Sequence, residues 1–264
     1  MARRCLFCGA KGPGVLSDEH VIPEWLLNYV ELPDDDIMFH GVANAATGQL
    51  TKSRIHSSFN FLEGRVCIEC NTGWMSALEA VAKPILIPLL DNKRPVSNLS
   101  VEERLIVWKW TAKTAYVHSW AGPLKNAQLP HLHALYGPAG LPVEGVYVVA
   151  MQADFTQPTG YYQAGTWPHF QPPAELVADV IGKASGSYKV GLQFRHLYLL
   201  TAFWPNPSVE IVLRQDMHLP VWPMKTAPWT VWSADYISTT DHAIGLLVDF
   251  TNTLAAQHSH DGIS

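Results

Sequence analysis

The chain has 264 residues, 48% of them hydrophobic and 16% charged, with a net charge of −5. That apolar share suits one large or two modest globular domains and excludes a disordered chain. With 18 Lys and Arg against 23 Asp and Glu, the chain is no general polyanion binder. Any dealings with nucleic acid need a local positive surface or a metal ion.

The N-terminal string MARRCLFCGAKG is basic but has no apolar run of the kind that defines a signal peptide. No uninterrupted run approaches the ~18 apolar residues of a membrane helix; the best, Ile85–Leu90, is broken by Pro88. No membrane role and a cytoplasmic location are therefore expected. All four cysteines fall early, as Cys5-x-x-Cys8 and Cys67-x-x-Cys70. Two such pairs can present four thiolates tetrahedrally to a structural Zn²⁺. A redox pair or two unrelated pairs of buried thiols are the alternatives.

Between the cysteine pairs, Gly14–Ile22 reads as a strand ending near His20. Residues 33–60 read as a long polar connection, with Asp34–Asp36 a solvated tip. Gly64–Ile68 is a second strand running into the second pair. Thr72–Lys83 then has helical spacing, with Met75, Leu78 and Ala82 on one stripe. Trp74 and Met75 are expected in the core, Glu79 in an internal salt bridge. Pro84 should end or kink this helix.

A break is expected at Asp91–Pro95, dividing the chain into 1–94 and 95–264. Ser100 and Glu103 form a capping-box pattern ahead of a helix over 101–118. His131 and His133 read as a surface loop, a metal pair only if they lay on a strand. Beyond Pro142 the chain is rich in Val, Tyr and Phe, predicting a mixed α+β domain with a mostly antiparallel sheet. Trp204 to Trp232 reads as core and interface, with base stacking as the rival. The tail Ala255–Ser264, with His258 and His260, is expected to be disordered.

One constellation carries chemistry. Asp18-Glu19-His20 precedes Ile22-Pro23, and Asn71 follows Cys70 directly, before Gly73-Trp74-Met75. The string CxxC…EHVIPEW…CxxCNxGWM resembles the HNH endonucleases, the zinc-stapled branch of the ββα-metal (His-Me finger) nucleases, over roughly residues 5–83. It also resembles a set of bacterial HNH-type proteins that carry a variant of the same string.

The resemblance implies an N-terminal ββα-metal domain in which Cys5, Cys8, Cys67 and Cys70 hold structural Zn²⁺. It implies His20 as the general base, with Glu19 and Asn71 as ligands of a catalytic Mg²⁺ or Mn²⁺. A carboxylate and an amide oxygen are hard donors suited to those ions, and a histidine titrates where a water's proton can be taken. Neighbours on a regular strand point to opposite faces, so Glu19 and His20 share a site only at a strand end or a bulge. The family's middle letter falls on Leu62 here; Asn60 and His56 are the nearest substitutes.

The expected activity is metal-dependent hydrolysis of nucleic-acid phosphodiesters, DNA favoured over RNA, in bacterial anti-phage defence or mobile-element biology. Residues 95–264 would select the target, or bind a protein partner or a second copy of the chain. Two rivals stand beside it. One is a catalytically silent zinc-stapled module that binds nucleic acid or protein. The other is a nuclease that a partner must deliver to its target.

Overall fold

The computed structural model describes residues 3–31, 37–43, 50–57, 62–122, 125, 127–137, 139–140, 143–153, 160–165, 187–203, 209–214, 219–222, 230–232 and 255–258. For the strands at 37–43, 50–57, 160–165, 209–214, 230–232 and 255–258 only the backbone is described. The chain is mixed α+β. It divides into two compact units, 1–81 with 113–143 and 82–112 with 144–264. The break expected at Asp91–Pro95 lies inside the second unit. The units instead exchange within two helices, at Val81/Ala82 and Ala112/Lys113.

The first unit is built on a two-stranded antiparallel pair. Strand β1 (Leu16–His20) runs against β4 (Leu62–Cys67), Leu16 opposite Cys67 and His20 opposite Leu62. The register slips between Ser17 and Glu19, where Gly64 and Arg65 stand against Asp18. A Cβ at residue 64 would lie 3.1 Å from Asp18 Oδ1, a tight contact that the exposed Asp18 side chain would have to relieve by shifting. Helix α1 (Glu24–Val30) follows β1 and buries Leu26 and Leu27. Residues 37–57 hold a hairpin, not an irregular connection: β2 (Ile37–Ala43) pairs antiparallel with β3 (Leu50–Ser57). Val, Ile and Phe alternate weakly with polar residues there, which hid the strand period. The acidic run Asp34–Asp36 lies outside the described residues.

After Cys70 the chain makes one wide turn, Asn71–Met75, in which the Ser76 N–H reaches back to Asn71 O. Gly73 departs from helical dihedrals (φ −92°, ψ −109°) and kinks the turn. Helix α2 (Ser76–Leu90) then continues through Pro84 and Pro88. Neither proline ends it. Each removes one backbone hydrogen bond, while Leu86, Leu89 and Leu90 are buried around them and favour continuation. The carbonyl of Pro88, the second proline, is taken by the N–H groups of Lys93 and Arg94.

Helix α3 (Val101–Ala121) begins on the expected capping box. Glu103 N–H donates to Ser100 Oγ at 3.2 Å, and Ser100 N–H donates to Glu103 Oε2 at 2.8 Å. Helix α4 (Leu129–Leu135) holds His131 and His133, so they do not sit on a loop. His131 is buried and lies near Tyr116, with ring centroids 6.5 Å apart, while His133 is exposed.

The second unit carries a five-stranded antiparallel sheet in the order β10-β5-β8-β7-β6. These strands are β5 (Val146–Gln152), β6 (Gly160–Gly165), β7 (Tyr188–Phe194), β8 (Leu197–Phe203) and β10 (Leu219–Trp222). Every residue of β7 and β8 is buried, which puts this unit's core at the middle of the sheet. The early part of α3 belongs here: Trp110 meets Phe194 edge-on, and Trp108 lies 6.4 Å from Trp222. A smaller sheet joins β9 (Val209–Arg214) to β11 (Thr230–Trp232) in parallel and to β12 (Ala255–His258) antiparallel. Part of the tail expected to be disordered is therefore strand β12, paired by backbone hydrogen bonds that composition does not announce. Trp204 and His260 lie outside the described residues.

Among the described residues, one helical stretch, Ile68–Leu90, is long and apolar enough to cross a membrane by length and composition alone. Reading this stretch as separate short pieces, stopped at Pro84, hid that property. A buried core helix has the same composition, and Cys70, Met75, Ala82, Leu86 and Leu89 are buried in the chain itself.

Candidate metal centre and neighbouring acidic cluster

The cysteine cluster forms because two tight turns meet. In the first, Cys5 N–H donates to Ala10 O at 2.8 Å and Gly9 N–H to Cys5 O at 3.0 Å. Gly9 sits at φ +74°, a conformation that glycine adopts without strain. Leu6 N–H donates to Arg65 O at 2.9 Å, which hangs this turn on β4. The second turn starts where β4 ends, at Cys67. All four Sγ atoms lie within 4.8 Å of one another, with Cys5–Cys70 at 3.8 Å and Cys8–Cys67 at 3.5 Å. Ligands ~2.3 Å from a tetrahedral Zn²⁺ sit about 3.8 Å apart.

The donor set therefore fits zinc, and no disulfide joins the cysteines. Backbone N–H groups already face the sulfurs, Cys67 N to Cys5 Sγ at 3.3 Å and Cys70 N to Cys67 Sγ at 3.4 Å. Such donors orient thiolate ligands and spread their charge. The hydrogen bond with Cys70 draws the Cys5 thiol down to about 4, and the same contact pushes Cys70 up. Burial raises Cys8 to about 11. Phe7 packs edge-on against Trp74 at 5.3 Å, and Trp74 against Tyr136 at 6.4 Å, closing an aromatic wall beside the sulfurs.

The same staple brings the start of the wide turn to the end of β1. Asn71 Nδ2 donates to Asp18 O at 3.3 Å and to Ser17 Oγ at 3.4 Å. Groups 53 and 54 positions apart in sequence meet here. His20 is the last residue of β1, half-buried, two positions from that contact. Its ring makes no hydrogen bond among the described residues. Of the candidates for the middle position, His56 lies on β3 opposite Met38, and Asn60 lies outside the described residues.

Glu19 goes elsewhere. It is buried, and its Oε1 accepts from Lys113 Nζ at 3.0 Å. The same ammonium donates to Glu79 Oε1 at 2.7 Å. Lys113 is fully buried. Burial pulls its ammonium down, but the charges of Glu19 and Glu79 outweigh that and hold it above the usual lysine range.

Directly opposite Glu19 across the strand pair stands Glu63, also buried. Two like charges at facing positions repel, and Glu63 has its own cation: Arg65 Nε at 2.8 Å and Nη2 at 3.2 Å. Arg65 also donates to Trp120 O and lies 4.8 Å over the Trp120 ring. Lys113 and Trp120 are seven residues apart on α3, on one stripe, so a single helix face meets both acidic residues' cations.

Both expected ligands of a catalytic divalent ion already have partners within the chain. Glu19 is held by lysine and Asn71 is hydrogen-bonded toward Ser17 and Asp18. The expected salt bridge of Glu79 is present, to a partner that sequence reasoning missed. The signal for Lys113 was there: in Trp110-Thr-Ala-Lys-Thr-Ala-Tyr-Val it is the lone charge in an apolar helical run. A charge so placed is buried only with partners.

The first turn also carries Arg3, Arg4 and Lys11, all exposed. None forms an ion pair among the described residues. The Cys5–Ala10 hydrogen bond sets Arg4 and Lys11 at the two feet of the turn. Comparison with known proteins returns no matching family model, no matching curated protein and no matching solved structure.

Proposed function

We propose that the chain is a zinc-stapled HNH-type endonuclease that hydrolyses phosphodiesters of nucleic acid, DNA rather than RNA. The observation that carries this reading is the meeting of the end of β1 with the turn after the second cysteine pair, Asn71 Nδ2 3.3 Å from Asp18 O. That contact sets the Asn71 amide against Asp18, two positions before His20, a half-buried histidine whose ring makes no hydrogen bond among the described residues, beside a cluster able to hold a metal. His20 would accept the proton of an attacking water. Arg3, Arg4 and Lys11 give the strand-binding cations that net composition hides. The free thiols accord with a reducing, cytoplasmic compartment. Residues 95–264 would select the target or bind a partner.

The test is incubation of purified chain with plasmid, single-stranded DNA and RNA in Mg²⁺, Mn²⁺ or EDTA. Cleavage that EDTA stops and His20→Ala abolishes supports the reading. Inert protein under every condition, or unchanged cleavage by His20→Ala, overturns it.

A second reading, the silent zinc-stapled module, is favoured by one observation: the Glu19 carboxylate is taken by Lys113 at 3.0 Å. It predicts that the same preparation binds nucleic acid or a protein partner and never cuts nucleic acid.

A further inference from the structure

Three carboxylates converge in the first unit: Glu19 on β1, Glu63 on β4 and Glu79 on α2. Two of them, Glu19 and Glu79, are bonded to one atom, Lys113 Nζ, at 3.0 and 2.7 Å. Their side chains are 7% and 21% exposed, and that of Lys113 is 0% exposed. Two carboxylate oxygens on a shared, dehydrated cation is the arrangement by which proteins hold a divalent ion. Here the cation belongs to the chain. An ammonium offers three donors and no vacant coordination position, so a metal cannot join this pair without expelling a buried lysine. The third carboxylate is taken as well, because Arg65 donates through Nε and Nη2 to the two oxygens of Glu63.

We propose that Lys113 is the built-in cation of the Glu19–Glu79 pair, which closes that pair to divalent metal and makes Glu19 a positioning residue rather than a metal ligand. Its role is mechanical. Glu19 lies between Asp18, whose carbonyl accepts from Asn71, and His20 at the strand end. Through Lys113, Glu19 is tied to α3 and, by Glu79, to α2. The strand end is thereby fixed against the helix that begins at the zinc staple. This deepens the nuclease reading and rests on it for the meaning of His20. The clamp itself is independent of cleavage. Any divalent ion needed for cleavage is then held by donors other than Glu19.

The experiment uses full-length zinc-loaded protein, Mn²⁺ titration followed by electron paramagnetic resonance, and thermal melting. Loss of even a supporting partner of a metal ligand weakens affinity on the order of 10–100-fold. Glu19→Gln should leave any Mn²⁺ affinity of the wild type within that lower bound while lowering the melting temperature. Lys113→Met should melt lower still. It should also gain a Mn²⁺ site that raises its melting temperature and disappears in Lys113→Met/Glu19→Gln. The neutral triple variant Glu19→Gln/Lys113→Met/Glu79→Gln should regain most of the lost melting temperature and bind no additional Mn²⁺.

A tenfold or larger loss of Mn²⁺ affinity in Glu19→Gln overturns the proposal, because it makes Glu19 a ligand. So does a Lys113→Met variant that melts like the wild type or takes up no Mn²⁺. A triple variant no more stable than Lys113→Met also overturns it, because volume and not charge would then explain the loss. If wild-type protein cuts no nucleic acid, the nuclease reading fails alone, since none of these readouts uses cleavage.

Discussion

The cysteine cluster and the acidic cluster belong to the same unit and are assembled the same way. Each gathers side chains from distant stretches of chain around a point that calls for positive charge. They differ in where that charge comes from. The four sulfurs have backbone N–H groups, one another and an aromatic wall for company, with no side-chain cation among the described residues, and their spacing matches a tetrahedral metal. The carboxylates have Lys113 and Arg65, placed by one helix and one strand, and their charge is answered within the chain. Proximity of ligand-type residues therefore does not by itself mark a metal site. What separates the two clusters is whether a neighbouring side chain already fills the centre.

That contrast breaks most sharply on metal removal. Stripping zinc with a strong chelator, or replacing Cys67 by Ser, should unfold the first unit, because structural zinc supplies on the order of 10 kcal/mol in small zinc-organised folds. Loss of near-ultraviolet circular dichroism, recovered on adding Zn²⁺, checks it. The acidic cluster, whose charge is answered within the chain, offers a chelator nothing to remove. It should instead respond to Lys113→Met with a loss of about 3–5 kcal/mol, the cost of leaving buried charges unpaired. Denaturant melts measure that loss.

His20→Ala should do the opposite of both. It should leave zinc content and melting temperature unchanged and reduce cleavage by ~10²-fold or more, as removal of a general base does. A smaller effect lies in pH. Burial holds His131 at about 4, below its value in the unfolded chain. Between that value and about 6.5 the unfolded chain binds more protons. Stability is therefore full above about 6.5 and falls as pH drops toward 4. His131→Phe should flatten that limb in melts run across the window. Least disruptive to the fold, Arg3→Ala, Arg4→Ala and Lys11→Ala together should leave the melting temperature alone. They should weaken nucleic-acid binding and reduce its salt slope, by about 0.9 for each phosphate no longer neutralised.

Much of this was readable from sequence where local chemistry repeats itself. The cysteine spacing, the Ser100–Glu103 cap, the strand ending at His20 and the Val- and Tyr-rich strands each follow from a pattern a few residues long. A bulge is present, but at Asp18, before Glu19; Glu19 and His20 themselves pair in regular register with Glu63 and Leu62, and His20 is the strand's last residue. What escaped is what depends on partners far away. Strand β12 reads as a tail because its pairing with β9 leaves no mark on its own composition. The 37–57 hairpin lacks a clean alternation. Pro84 and Pro88 look like stops, yet burial of the leucines around them outweighs two missing hydrogen bonds. Glu19 reads as a metal ligand from its neighbours in sequence; the partner its carboxylate meets in the fold is Lys113, 94 residues on.

The most direct test of the zinc staple is zinc K-edge X-ray absorption on the purified full-length chain, with metal analysis of the same sample. The expected result is about one zinc per chain with four sulfur neighbours at ~2.3 Å, and loss of that signal in Cys67→Ser. Zinc-free protein that is fully folded, sulfurs paired as disulfides, or zinc surrounded by nitrogen and oxygen would contradict it.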